Sequence, residues 1–379
     1  MNYNKIMNLL AKGDKWQFDI PVAEQLEFIR RLPEPKHDIS RSFYQYKAQM
    51  LFVSRWKRLV FNFIALFVLP LYILVAFIKR IRSRYRYKVE AILEKSGHQG
   101  VVPDSVAKKY KISTEEWSSG FSLSFRDLGF VLRLSPYLIR SPYFVFKILY
   151  KVGLYSQLIK LYRPDAIIVY NEYSYTSSAL TYFCESNGVE HINVMHGEKL
   201  YYVRDSFFRF SKTYVWEDYY IKLLSDLRAP REQFVAELPP FMSVNPSEHR
   251  NSDAYADYKY YLAKYTEEEL QSIVKSLEFI SRQGASLKYR PHPRYSDIQL
   301  LKKYVDESMI EYQREVDIET SISNLKYAVG VYTTVLNQCY HAGVNVVIDD
   351  MNFPENFTRL SELGYVLLSK DVVYLSQLQ

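Results

Sequence analysis

Residues 164–172 read PDAIIVYNE, and residues 177–188 read SSALTYFCESNG. The run from Ala166 to Tyr170 is too short for a helix and shows no polar alternation. It predicts a strand buried on both faces that ends on Asn171 and Glu172. The second stretch has helical spacing and stops at Gly188, a residue suited to a left-handed C-cap. A doubly buried strand followed by a helix is the unit from which parallel sheets are built. The unit then recurs. VEHINVMHGEKL (189–200) reads as a strand ending in a polar loop, KTYVWEDYYIKLLSDL (212–227) as strand and helix, and EQFVAELPP (232–240) as one more strand. The expectation is a doubly wound α/β domain.

Residues 238–257, LPPFMSVNPSEHRNSDAYAD, hold three prolines and few apolar residues, and read as a linker. Beyond them the alternation resumes, with strand DYKYYLAK, a helix opened by Thr266 over TEEELQSIVKSLEFISRQ, and strand ASLKYR. Helix IQLLKKYVDE, strand MIEYQRE, helix DIETSISNL, strand YAVGVYTT, helix VLNQCYHAG and strand VNVVIDD follow. The predicted organisation is an N-terminal helical region over 1–130, one Rossmann-like domain over 131–240, and a second over 258–379.

A length of 379 residues accommodates two such domains. Hydrophobic content of 48% with 24% charged residues is that of a globular chain. Two cysteines, Cys184 and Cys339, have no metal-type spacing and suggest a reducing compartment; no cleavable N-terminal signal is read. The net charge of +7 has one source. From Leu51 to Lys88 there are nine Lys/Arg and no Asp/Glu, which leaves the remainder at +7 − 9 = −2. Basicity confined to one segment argues against a nucleic-acid groove.

That segment surrounds Leu59 to Ile78, a run of 20 residues without charge, flanked by Arg55, Lys57 and Arg58 before it and by Lys79, Arg80, Arg82, Arg84, Arg86 and Lys88 after it. About 20 apolar residues suffice to cross a bilayer as a helix, and the heavier basic flank places the downstream chain in the cytoplasm. Basic residues interleaved with Tyr85 and Tyr87 suit anionic headgroups. Pro70, mid-run, either kinks a spanning helix or turns a re-entrant hairpin. The stretch 134–162 is aromatic and basic but broken by charges, and reads as helices packed on a domain or lying at the interface.

In parallel α/β sheets ligands bind at the carboxyl ends of the strands. Four polar clusters fall there: NEYS, HGEK, RPHPR and YTTVLNQ. Arg290 and Arg294 flank a Pro-His-Pro turn, where guanidinium forks and an imidazole held by Pro291 and Pro293 suit a phosphate. Thr333 and Thr334 stand where a strand becomes a helix, so their hydroxyls and the first helical amides form an anion site, with Gln338 one turn on within reach of a ribose. Asn171, Glu172, His196 and Glu198 occupy the first half, where Glu172 or His196 is a candidate base and Gly197 permits a tight turn. VVIDD (346–350) lacks a third ligand and reads as a loop, so no metal is expected. GxSxG, Walker A and GxGxxG sequences do not occur in the chain.

HGEK in the first half, RPHP in the second, and the YTTVLNQ turn resemble the bacterial GT-B glycosyltransferases of surface polysaccharide biosynthesis, the group that makes capsule, lipooligosaccharide and teichoic-acid polymers. The resemblance covers roughly 160–370. It implies two Rossmann-like domains, with a donor's phosphate gripped by His292, Pro293, Thr333 and Thr334. By likeness to CMP-sialic-acid enzymes the base is Glu172; by likeness to teichoic-acid polymerases it is His196. Thr-Thr where serine is frequent, and Gln338 where glutamate often meets the ribose, leave the donor's identity open.

The function expected is transfer of a sugar from a CMP- or NDP-sugar donor to a glycan or lipid-linked acceptor at the cytoplasmic face of the bacterial membrane. Inversion, no cofactor and no metal are expected, and the anionic membrane surface is a partner. A CDP-alcohol polyol-phosphate transferase, a non-catalytic subunit of a glycan-assembly complex, and a soluble sugar-nucleotide epimerase are the alternatives.

Overall fold

The computed structural model describes residues 20–82, 84–94, 100–114, 117, 120–249 and 252–378. Residues 1–19, part of the stretch read as helical from sequence, lie outside the described residues. The chain forms two compact units. The first comprises Met1–His196 and Tyr201–Glu237, the second Gly197–Leu200 and Leu238–Gln379.

The first unit carries a six-stranded sheet in the order β2-β1-β3-β4-β5-β6, with every pairing parallel. Its strands are β1 (Ala91–Leu93), β2 (Ile112–Ser113), β3 (Ala166–Val169), β4 (Glu190–Val194), β5 (Lys212–Val215) and β6 (Phe234–Ala236). Among the described residues, six helices of eight residues or more accompany it: α1 (Val22–Arg31), α2 (Asp38–Gln49), α3 (Arg55–Arg82), α4 (Pro142–Tyr162), α5 (Ser177–Glu185) and α6 (Asp218–Asp226). Every residue of β3 is buried, as a strand covered on both faces requires. Gly188, two residues beyond the Ser186 C-cap of α5, has φ +70, the left-handed turn expected of it.

The first sheet differs from the sequence reading in where it starts. β1 and β2 come from the stretch assigned to a separate helical region, so the first sheet starts well before residue 131. These strands are three and two residues long and present no periodicity to detect. α4 makes up most of the stretch 134–162, read as helices packed on a domain or lying at the interface; most of its residues are buried, which is the first of those two arrangements. Its charged positions are few enough to be placed at its margins while Phe144, Ile148, Val152 and Tyr155 enter the core.

α3 runs unbroken through Pro70, which removes the hairpin option. By length and composition Arg55–Ile81 is able to cross a membrane. One stripe of it, Phe61, Ala65, Leu69, Tyr72 and Ala76, is buried, and this side meets α4. The Tyr143 amide donates to Asn62 Oδ1 at 3.1 Å, Tyr72 donates to the carbonyls of Leu149 and Tyr150 at 3.2 Å, and Arg80 Nη1 donates to that of Ser156 at 3.2 Å. The opposite side is apolar and exposed, with Leu59, Phe63, Phe67, Leu71 and Leu74 about 60% accessible or more.

The second unit carries a five-stranded parallel sheet, β11-β10-β9-β7-β8. Its strands are β7 (Ala256–Tyr261), β8 (Leu287–Arg290), β9 (Leu325–Gly330), β10 (Asn345–Ile348) and β11 (Val373–Tyr374). The helices are α7 (Glu267–Arg282), α8 (Ile298–Tyr304), α9 (Thr334–His341) and α10 (Pro354–Glu362), with shorter turns between them. Thr266 caps α7 in a capping box with Glu269, as its sequence indicates. Leu270, Ile273, Leu277 and Ile280 of α7 bury against Tyr260, Leu287, Tyr289 and Val329 of the sheet. MIEYQRE, expected as a strand, makes only a single bridge, Tyr289 to Ile310. The chain turns at Tyr312–Val316 immediately afterwards, and Glu311 is committed to a buried ion pair. Both sheets are therefore those of Rossmann-like α/β units.

Candidate functional site

Because β7, β8 and β9 are parallel and in register, with Tyr261 opposite Arg290, the turns that follow them emerge at one edge of the second sheet. Pro291, His292 and Pro293 continue β8, and Thr333 and Thr334 stand at the start of α9, which follows β9. The two motifs line one cavity of about 320 Å³ together with Tyr261, Arg290, Gln313 and Ile318. Among the described residues, no acidic one is in its lining.

The imidazole in this cavity is fixed from several directions. Its Nδ1 accepts the Arg294 backbone amide at 3.1 Å, its own amide donates to Ser296 Oγ at 2.8 Å, and its ring stacks on Tyr295 with centroids 4.5 Å apart. With Nδ1 accepting, the proton of a neutral ring sits on Nε2. Burial, and then the Arg294 charge, hold His292 below its ordinary value, so the neutral donor form prevails. Gln313 Nε2 donates to the Pro291 carbonyl at 2.6 Å and secures the start of the turn. Thr333 is the N-cap of α9, its Oγ1 accepting weakly from Val335 at 3.4 Å, while Thr334 is the first helical residue. Donor amides of a first helical turn, two hydroxyls and an imidazole N–H make a lining suited to a phosphate.

Arg290 has a different setting from the expected free fork. Its Nη1 donates to Glu311 Oε1 at 2.6 Å, and Lys259 Nζ donates to Glu311 Oε2 at 2.6 Å and to the Ser321 carbonyl at 3.0 Å. The Ser321 hydroxyl also donates to Glu311. Burial disfavours the Glu311 carboxylate, but Lys259, Ser321 and Arg290 together outweigh it and hold its carboxyl below the usual range. Burial pulls the Lys259 ammonium down against the attraction of Glu311. Two cations thus share one carboxylate, and the surplus positive charge borders the cavity through Arg290.

Two expected donor contacts fall away from the cavity. Arg294 is exposed and is not among the lining residues, because its backbone, not its guanidinium, serves His292. Gln338 is buried and donates to the Phe241 carbonyl at 2.6 Å, which ties α9 to the turn Pro240–Met242. Asp349, in VVIDD, accepts from Tyr260 and from the amides of Met351 and Asn352, the role of a turn cap. Asn337 donates to Glu198 at 2.6 Å within the same unit.

In the first unit, Asn171, Glu172 and His196 follow β3 and β4 at the carboxyl edge. Glu172 is only 1% exposed, and its carbonyl accepts Gln45 of α2 at 2.8 Å. His196 is half-buried with its ring 4.9 Å from that of Tyr170. Of the two base candidates, His196 has the solvent access. Asn171 also donates to Glu94, at the end of β1, a carboxylate at this edge that sequence reading missed. Lys259, Glu311 and Gln313 were missed likewise. The one signal was a lysine amid the aromatic run of DYKYYLAK, a charge where a central strand has no solvent.

No family model matches the chain, and no curated protein sequence matches it. Similar solved structures include UDP-N-acetylglucosamine 2-epimerase from Rickettsia bellii, 10% identical over 69% of this chain and 79% of that one, with a TM-score of 0.41. Another is the calicheamicin glycosyltransferase CalG4, 11% identical over 78% and 87%, TM-score 0.41. A third is the wall teichoic acid polymerase TagF, 10% identical over 75% and 76%, TM-score 0.40.

Proposed function

We propose that this chain is a GT-B glycosyltransferase, which moves a sugar from a nucleotide-activated donor to a cell-surface glycan acceptor at the cytoplasmic face of a bacterial membrane. The observation that carries the reading is the acid-free cavity in which the Pro-His-Pro turn and the Thr333–Thr334 pair meet. His292 Nε2–H, the Thr333 and Thr334 hydroxyls and the α9 amides hold the donor's phosphate. Arg290 supplies positive charge beside it.

Transfer is a direct displacement. The acceptor oxygen forms its bond to the anomeric carbon as the bond from that carbon to the phosphate oxygen breaks, and His196 takes the acceptor proton. Negative charge that builds on the departing nucleotide is met by donors already in place, the arrangement that lowers a barrier most effectively. One base and no covalent intermediate give inversion. Charge stabilisation by His292, the threonines and Arg290 occupies the role a metal ion has in other transferases.

Calorimetric titration with CMP, CDP, UDP and GDP tests this. Binding of one nucleotide, weakened by His292→Ala, supports the reading. Binding of none, or binding indifferent to His292, refutes it. His196→Ala is expected to lower kcat while leaving nucleotide affinity intact.

A further inference from the structure

A second cavity, of about 760 Å³, lies in the first unit among α1, α2, the start of α3 and the turn before α4. Its walls are apolar, with Phe28, Leu32, Phe43, Met50, Leu51 and Leu59. Among the described residues its charged lining is of one sign: Lys47, Arg55, Arg58 and Arg140, with no Asp or Glu. None of these four forms an ion pair among the described residues. Arg58 Nε is buried without a hydrogen-bond partner there. Two of the cations, Arg55 and Arg58, also occupy the first turn of α3, which has no acidic residue. Cations at the positive end of a helix dipole repel it unless an anion is present.

Apolar walls beneath a cationic rim define an amphiphile with an anionic head. Leu59 supplies the link to its source. It lines the cavity and also begins the exposed apolar side of α3. That side is unsuited to crossing a bilayer, because the other side of α3 is fastened to α4 from Asn62 to Arg80, and α4 is buried in the unit's core. A helix held in this way lies along a membrane surface with one side immersed.

We infer that the first unit binds a lipid-borne phosphate in the cavity at the head of α3, with Arg58, Arg140, Arg55 and Lys47 around the phosphate, the lipid chain along Leu51 and Leu59, and α3 lying in the plane of the bilayer. The inference rests on the membrane-attached reading above and gives that attachment its chemistry.

The test uses the full chain with phosphatidylcholine vesicles with and without phosphatidylglycerol, followed by flotation, and with inorganic phosphate as competitor. The wild type is expected to float with the anionic vesicles, and Arg58→Gln with Arg140→Gln to weaken this about tenfold or more, two basic contacts being lost. Phe67→Glu, on the outer side of α3, is expected to reduce flotation with both compositions. Circular dichroism and an unchanged thermal midpoint establish that the variants fold. The tryptophans of Phe63→Trp and of Ile78→Trp are expected to be quenched equally by shallow brominated lipids, each read against the wild-type signal.

Flotation of the double glutamine variant at wild-type strength overturns the phosphate site. Full competition by millimolar inorganic phosphate overturns the lipid as its source. Deep quenching at one position and shallow at the other overturns the in-plane helix. Nucleotide titration separates the two readings: loss of nucleotide binding in the wild type with flotation intact refutes the transferase and leaves the lipid site standing.

Discussion

Arg290 Nη1 lies 2.6 Å from Glu311 Oε1, and both side chains are almost wholly withdrawn from solvent. A buried carboxylate with two cationic partners is costly to neutralise, because the cations stay behind. Glu311→Gln is expected to destabilise the chain by about 3–5 kcal/mol, read as a lower urea midpoint. Exchange of both Lys259 and Glu311 for apolar residues of similar volume is expected to cost less than Glu311→Gln alone, because one buried cation, Arg290, stays behind unpaired instead of two.

Gly153 of α4 has the hydroxyl of Tyr72 where a side chain would begin: a Cβ there would stand 2.0 Å from that oxygen. Gly153→Ala forces the phenol off the carbonyls of Leu149 and Tyr150. The expected loss is about 1–3 kcal/mol, the usual range for overpacking, and Tyr72→Phe in the same chain is expected to restore part of it. Differential scanning calorimetry of the single and double variants checks this.

His191 is a neutral core histidine. Its Nδ1 meets Thr181 Oγ1 at 2.8 Å and its Nε2 meets the Tyr155 hydroxyl at 3.1 Å. Burial, then Arg209 and Lys151, push it down to about 3 from an ordinary 6.5. Between those values the unfolded chain binds a proton that the native chain does not. Its contribution to stability is therefore complete above pH 6.5 and is lost as pH falls toward 3, by up to about 1.4 kcal/mol per pH unit. Urea midpoints at pH 7.5 and 4.5 are expected to differ less in His191→Asn than in the wild type.

His292 is expected to act as a neutral donor. Its removal costs a hydrogen bond to a charged group, about 1.5–3 kcal/mol, or roughly ten- to hundredfold in nucleotide affinity. His292→Gln, which keeps an N–H, is expected to retain more affinity than His292→Ala. Affinity that rises steeply as pH drops from 8 to 6 only when His292 is present would contradict the neutral form.

Much of this was legible in the chain. The buried run before Asn171 and the Thr266 cap announced their elements, because each is a local pattern whose cause lies within a few residues. The Pro-His-Pro turn and the threonine pair were also legible as partners, since parallel strands deliver their following turns to one edge. Lys259 and Glu311 were not. They are 52 residues apart and only the sheet brings them together. Arg290 and Gln338 had the right chemistry, but their nearest companions, Glu311 and the Phe241 carbonyl, are set by tertiary packing that spacing does not encode. β1 escaped because three residues carry no period.

The grouping of Gly197–Leu200 with residues 238–379 has a practical result. A fragment cut at 238 would lose Glu198, and with it the acceptor for Asn337 in α9. Anyone wishing to isolate the cavity beside His292 on its own should graft that four-residue loop back on, or keep the chain whole; a simple truncation would leave a helix without its tether and misreport the cavity's affinity.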